Sequence, residues 1–294
     1  MIAVIGAGKW GQALAYAIGK NNAIKIASRS KKDIPNFVSM REALQAKYLI
    51  IAIPAQFVRS WMQAHRLRSD QKVLVAAKGI EIENRAFLNE IYADFVSNEQ
   101  LAFISGPSFA KEVKADLPTA LVISAYNQSL AQEFATFFPD SIKTYVDDDV
   151  TGAEVAGAYK NVIAIAAGVC DGLSLGNNAR AALISRGLVE MSRFGTSFGA
   201  KEETFLGLSG AGDLFLTASS NLSRNYRVGY YLAKGKKLDT ILKDLGEVAE
   251  GVYTTRALFA ISQQENIYVP IAAEVHALLE GKDPLHSLQD LLSS

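Results

Sequence analysis

At 294 residues the chain is long enough for two domains of ordinary size, each with its own core. Its 49% hydrophobic and 20% charged residues make a globular composition, and a formal net charge of zero offers no general attraction for nucleic acid or an acidic membrane. One cysteine, Cys170, excludes an intramolecular disulfide and a cysteine zinc cage, and His65, His276 and His286 lack metal-ligand spacing, so no metal is expected.

The chain starts Met1-Ile2-Ala3-Val4-Ile5 with no basic segment ahead of the apolar residues, and this reads against a secretory signal. The longest apolar runs, Tyr48–Ala55 and Val162–Cys170, fall short of the ~20 residues a spanning helix needs. A cytoplasmic protein without membrane insertion is expected.

In chain order, predicted strands are Ile2–Ile5, Ile24–Ala27, Tyr48–Ile53, Lys72–Ala76, Leu101–Ile104, Ala120–Ser124 and Ile142–Tyr145. Helix-compatible stretches Trp10–Lys20, Met40–Ala46 and Phe57–His65 lie between the early ones. Short, continuously apolar strands alternating with helices predict a parallel sheet covered on both faces, a Rossmann-like domain. Beyond Asp147-Asp148-Asp149 helical periodicity takes over: Thr151–Cys170, Asn178–Phe194, Asn225–Lys234, Leu238–Leu245, Tyr253–Glu265 and Ile271–Leu279. The expected division is therefore a dinucleotide-binding domain over 1–148 and an all-helical substrate domain over 149–294. Apolar helical faces in the second permit a homodimer.

Gly6-Ala7-Gly8-Lys9-Trp10-Gly11 follows the first strand and opens a helix. In that context Gly6 makes the tight turn, Gly8 admits a pyrophosphate, Gly11 packs helix on strand, and the helix N-terminus faces the phosphate charge. After the second strand, where an acid would hold a ribose 2′-hydroxyl, stand Ser28-Arg29-Ser30-Lys31-Lys32, with no acid before Asp33. Arg29 can accept a 2′-phosphate, so NADP(H) should bind at least as well as NAD(H); a solvated basic turn is the plainer alternative. Two more turns follow predicted strands, Ala76-Ala77-Lys78-Gly79 and Ser105-Gly106-Pro107-Ser108-Phe109-Ala110. Strand carboxyl ends are where open α/β sheets hold ligands.

On the helix over 151–170, Lys160 shares a face with Ala153, Ala156, Gly157, Ala164 and Ala167, and no carboxylate stands a turn away on that helix. Small neighbours leave room beside the amine, and partial burial makes it a usable proton donor or acceptor; a snorkelling surface lysine is the bland alternative. Farther on come Gly207-Leu208-Ser209-Gly210-Ala211-Gly212-Asp213-Leu214 and Ser223-Arg224-Asn225. Ser223 can N-cap a helix beginning near Arg224, converging backbone N–H groups, a guanidinium and an amide on one point, a constellation suited to a phosphate monoester.

With these residues in order, the sequence resembles the bacterial NAD(P)-dependent glycerol-3-phosphate dehydrogenases nearly end to end. Carrying the likeness are Gly6–Gly11, Ala77-Lys78-Gly79, Ser105–Ala110, Lys160-Asn161, Asn177-Asn178-Ala179-Arg180, Gly207–Leu214, Ser223-Arg224-Asn225 and Val248-Ala249-Glu250-Gly251. The resemblance implies reversible reduction of dihydroxyacetone phosphate to sn-glycerol 3-phosphate for glycerophospholipid synthesis. It implies Lys160 as acid/base on the C2 oxygen, assisted by Lys78 and Asp213, and a substrate site lined by Lys78, Gly106, Ser108, Lys160, Asp213, Ser223, Arg224 and Asn225. It also implies cofactor contacts from Gly6, Gly8, Trp10, Gly11, Arg29, Lys78, Ala110, Arg224, Val248 and Glu250. Lys9 departs from the pattern, since similar sequences commonly carry a small hydroxyl residue there. Two rival readings are a β-hydroxyacid or 6-phosphogluconate type dehydrogenase and a non-catalytic dinucleotide sensor. The Gly207–Leu214 and Ser223-Arg224-Asn225 segments argue against the first, and the second leaves Lys160 and the Arg224 cluster unexplained.

Overall fold

A computed structural model describes residues 1–246 and 248–293. They form two compact units, one of residues 1–78 and 88–154, the other of residues 79–87 and 155 onward. A single cut near residue 149 does not anticipate this interleaving. The short segment 79–87 leaves the N-terminal half because its apolar ends, Ile80 and Phe87, pair through an antiparallel bridge and are buried in the second unit's core. Phe87 packs edge-on to Phe198 with ring centroids 5.6 Å apart.

The first unit is a seven-stranded sheet of β1 (Ile2–Ile5), β2 (Ile24–Ala27), β3 (Tyr48–Ile51), β4 (Lys72–Val75), β5 (Leu101–Ser105), β6 (Thr119–Ser124) and β7 (Ile142–Asp147), in spatial order β2-β1-β3-β4-β5-β6-β7. Strands β1 to β5 are parallel, with Ile2 of β1 in register with Ile24 on one side and Tyr48 on the other. The order reverses between β1 and β3, the switch point where doubly wound sheets open a crevice. Every residue of β1 and β5 is buried, as expected of strands covered on both faces. Helices α1 (Lys9–Ile18), α2 (Met40–Ala43), α3 (Val58–Ala64), α4 (Leu88–Ala93), α5 (Ala110–Lys114) and α6 (Gln128–Ala135) connect the strands.

The expectation of a wholly parallel sheet needs one correction. Strand β6 runs antiparallel to β5, and β7 lies parallel to β6, so the last two strands point against the rest. Hydropathy cannot show this, because a short apolar run looks the same in either direction.

From residue 155 onward the described residues of the second unit are mostly helical. Its long axis is α7 (Val150–Gly172), within which the division between units falls. There follow α8 (Gly176–Ser197), α9 (Glu202–Leu206), α10 (Asp213–Ala218), α11 (Arg224–Ala233), α12 (Leu238–Leu245), α13 (Glu250–Gln264), α14 (Pro270–Leu279) and α15 (Pro284–Ser293). By length and composition α7 passes for a membrane span, longer than the apolar run in the sequence indicated. Yet 94% of its most apolar stretch is buried inside the protein, so it is the core helix of this unit. Cys170 is a buried free thiol on it.

Helix α7 meets α11 with almost no space between backbones. A Cβ on Gly168 would stand 2.0 Å from the Tyr226 carbonyl oxygen, and one on Gly229 would stand 1.8 Å from that of Ile165. Only glycine fits at either position of this crossing.

Candidate functional site

In the first unit the glycine turn sits where β1 meets the switch point. Gly6 has φ +112°, and a Cβ there would lie 2.3 Å from the Ala52 carbonyl oxygen just past β3, so the turn excludes other residues. A Cβ on Gly11 would lie 1.8 Å from the Gly6 carbonyl oxygen, which fixes α1 hard against the turn. Gly8 differs: nothing lies within 4 Å of where its Cβ would be, and it N-caps α1 in extended conformation without a side-chain cap. An open space at a helix start with no acidic residue in its first turn fits a dinucleotide pyrophosphate.

The other first-unit residues lie on the same edge, because parallel strands end together. Trp10 is half-buried on α1, and Arg29 is exposed just beyond β2, in a turn shaped by the Ser28 hydroxyl donating to the Ser30 carbonyl at 2.7 Å. Lys78 follows β4 and is half-buried. Gly106, at φ +102°, turns the chain after β5; the Ser108 hydroxyl donates to its carbonyl at 3.1 Å, and Ala110 opens α5.

Along α7 the stripe of small residues around Lys160 is packed, with Ala153, Ala156, Ala164 and Ala167 all buried. Lys160 itself is only 8% exposed, which removes the snorkelling alternative. The room beside it is taken by Asp213, 1% exposed, whose carboxylate accepts from the Lys160 ammonium at 2.5 Å. The missing carboxylate is thus supplied by another helix. Thr217, one turn after Asp213 on α10, joins the group: its hydroxyl oxygen accepts from Lys160 Nζ at 3.2 Å and the hydroxyl donates to Asp213 Oδ1 at 3.3 Å. A single π-helical turn over Leu208–Gly212 delivers Asp213 to the start of α10. It is tight because a Cβ on Gly210 would stand 2.1 Å from the Phe205 carbonyl oxygen. Thr217 went unnoticed in the sequence, although its helical spacing from Asp213 was the available signal.

The start of α11 carries the third group. Ser223 is buried and N-caps the helix, its hydroxyl oxygen accepting from the Tyr226 N–H at 3.2 Å. Arg224 donates to the Val248 carbonyl at 2.8 Å, and buried Asn225 accepts the Gly251 N–H at 3.0 Å. The segment of Val248, Ala249 and Glu250 that opens α13 therefore lies against the Arg224-Asn225 pair. Asn161, next along α7 from Lys160, places its carbonyl oxygen 2.9 Å from where a Gly251 Cβ would be, so the lysine and arginine clusters adjoin.

Each unit thus gathers its own share of the sequence-predicted residues. Gly6, Gly8, Trp10, Gly11, Arg29, Lys78, Gly106, Ser108 and Ala110 share the strand edge of the first. Lys160, Asp213, Ser223, Arg224, Asn225, Val248 and Glu250 belong to adjoining clusters of the second. Among the described residues no group of three or more His, Cys, Asp or Glu side chains is placed to hold a metal.

A glycine turn at the switch point of such a sheet defines a dinucleotide-binding α/β protein. Residues 31–131 match the NAD-dependent glycerol-3-phosphate dehydrogenase N-terminus family and residues 149–290 the corresponding C-terminus family. The chain belongs to the NAD-dependent glycerol-3-phosphate dehydrogenases. It is 60% identical over 291 residues to a glycerol-3-phosphate dehydrogenase [NAD(P)+] of Nitratiruptor sp., covering 99% of this chain and 97% of that one. It is also 60% identical over 293 residues to the protein so named in Sulfurimonas denitrificans, covering 100% and 99%. The crystal structure of glycerol-3-phosphate dehydrogenase from Coxiella burnetii superposes with a TM-score of 0.93 at 33% identity, covering 100% of this chain and 98% of that one.

Proposed function

We propose that this chain catalyses reversible, NAD(P)-dependent reduction of dihydroxyacetone phosphate to sn-glycerol 3-phosphate, a reaction that feeds glycerophospholipid synthesis in the cytoplasm. The observation that carries the reading is the buried Lys160–Asp213–Thr217 group adjoining the Arg224-Asn225 pair within one helical unit.

The dinucleotide, when bound, supplies or takes up the hydride at C2. Gly6, Gly8 and Gly11 provide the turn for its pyrophosphate, Trp10 and Ala110 line it, and Arg29 meets the 2′-phosphate of NADP(H). The family resemblance also assigns Lys78, Arg224, Val248 and Glu250 to cofactor binding.

In the reductive direction the Lys160 ammonium donates a proton to the C2 oxygen as the carbonyl becomes an alkoxide, and in the oxidative direction the amine takes it back. Asp213 and Thr217 hold the ammonium in place, so little reorganisation is needed as charge develops on the C2 oxygen. Arg224 and Asn225 donate to the phosphate beyond the start of α11, where Ser223 caps the helix. The family resemblance also assigns Lys78, Gly106 and Ser108 to substrate binding. Binding the distant phosphate positions C2 for reaction.

Homodimerisation belongs to the same reading: Val189, Leu206 and Phe215 stand 60%, 69% and 50% exposed on the second unit, apolar surface for a second copy to cover. Sedimentation of the purified protein tests that part.

The test of the activity is oxidation of NADPH and NADH with dihydroxyacetone phosphate as the sole added carbonyl, in wild type and Lys160→Ala. Turnover should fall by orders of magnitude in the variant while cofactor affinity survives. Near-wild-type turnover would remove Lys160 from its role, and no oxidation by the wild type would remove the activity.

A further inference from the structure

Asn225 has two ends that could face an anion, and only one is useful. An amide NH2 donates to a phosphate, whereas an amide oxygen turned the same way repels it. The structure assigns the choice to a neighbour with no side chain. The Gly251 N–H, in the first turn of α13, donates to Asn225 Oδ1 at 3.0 Å inside the second unit. A backbone N–H can only donate, so the amide oxygen is held at Gly251 and the NH2 is the end left to present elsewhere.

Space enforces the arrangement. A Cβ on Gly251 would lie 2.8 Å from Asn225 Oδ1 and 2.9 Å from the Asn161 carbonyl oxygen, both closer than real contacts allow. The Asn161 oxygen is backbone of the buried core helix and cannot yield cheaply. Gly251 is held in turn from behind: buried Thr255, one turn along α13, donates its hydroxyl to the Gly251 carbonyl at 2.7 Å.

We propose that Gly251 is a positioning residue for phosphate recognition, setting the Asn225 amide so that its NH2 faces the substrate, with Thr255 holding Gly251 in place. The proposal rests on the reading that Asn225 binds the substrate phosphate, and the test keeps the two apart. Gly251→Ala, Asn225→Ala and the double variant are compared by kcat and KM for dihydroxyacetone phosphate, with NADPH affinity measured alongside.

Loss of a hydrogen bond to a charged group should raise KM about ten- to a hundredfold in Asn225→Ala. An unchanged KM there would refute the phosphate reading itself. Given that rise, Gly251→Ala should raise KM to a similar extent with NADPH affinity intact. The two effects should not add, because both act through one amide. An unchanged KM in Gly251→Ala, or additive effects in the double variant, would overturn the proposal and leave the phosphate reading standing.

If Gly251→Ala does not fold, Thr255→Val and Thr255→Ser decide. Valine drops the hydroxyl that holds the Gly251 carbonyl and should raise KM severalfold at similar kcat, whereas serine keeps it and should restore the wild-type value. Equal values for the two would overturn the proposal.

Discussion

The proposed chemistry rests on a lysine that folding takes out of water and whose partners include a carboxylate and a hydroxyl. Such a pair is costly to break by halves, because the surviving charge stays buried. Thr217→Val removes the hydrogen bonds that its hydroxyl makes to both charged partners and leaves the charges themselves, so turnover should drop at least about tenfold at similar KM; steady-state kinetics checks it. At the other end of the chemistry, Arg29 is exposed in a turn with no acid beside it until Asp33. Arg29→Asp should weaken NADPH far more than NADH, and equal losses in titration would refute a 2′-phosphate contact. The sequence made these residues visible through their types and spacing. Spacing alone hid the Lys160–Asp213 bond, because a partner brought in by another helix leaves no periodic trace, and only the family resemblance put the two together.

At the level of elements, α14 shows how a buried charge can hold a helix in place. Its first turn has no side-chain cap of its own. Instead Glu190 on α8, 2% exposed, accepts the Ile271 and Ala272 N–H groups at 2.8 and 2.9 Å and the Tyr159 hydroxyl at 2.7 Å. Glu190→Gln swaps one acceptor oxygen for a donor and strands a buried N–H, so stability should fall by about 1–3 kcal/mol in chemical denaturation. Burial nevertheless pushes the Glu190 carboxyl above its ordinary 4.5, against the pull of those donors. The folded state therefore holds the proton more tightly than the unfolded one. That contribution is complete below 4.5 and is lost as pH rises through the folded value. The stability gap between wild type and Glu190→Gln should accordingly narrow on going from acid toward neutral pH; a gap that widens would refute it. Elements with a full apolar run or a long helical period were legible: the predicted helix over 238–245 coincides with α12, and each predicted strand has its counterpart. Short helices such as α9 and α10 were not, since their turns are built by glycine packing and tertiary hydrogen bonds rather than by any pattern of their own.

Across the whole molecule the two cores are built from different stretches, but not from two continuous halves. Hydropathy marks Ile80 and Phe87 as apolar without saying which core claims them, and that is why one boundary near 149 looked sufficient. A fragment of residues 1–154 would carry both side chains away from the core that buries them. It should expose apolar surface and bind a hydrophobic dye, whereas the same fragment with residues 79–87 replaced by a short flexible linker should melt cooperatively and bind less. Equal dye binding by the two fragments would show that the segment does not matter to the first unit.

The glycine crossing of α7 on α11 has a consequence for selectivity. Lys160 and Arg224, the proposed proton donor and phosphate clamp, ride on rods that touch backbone to backbone at Gly168 and Gly229, so the two anchors from which they reach keep a set spacing. A ketose phosphate one carbon longer would have to bend or lose one of its two grips. On the proposed roles, reshaping the side chains around such a gauge should leave any discrimination between three- and four-carbon ketose phosphates largely unchanged.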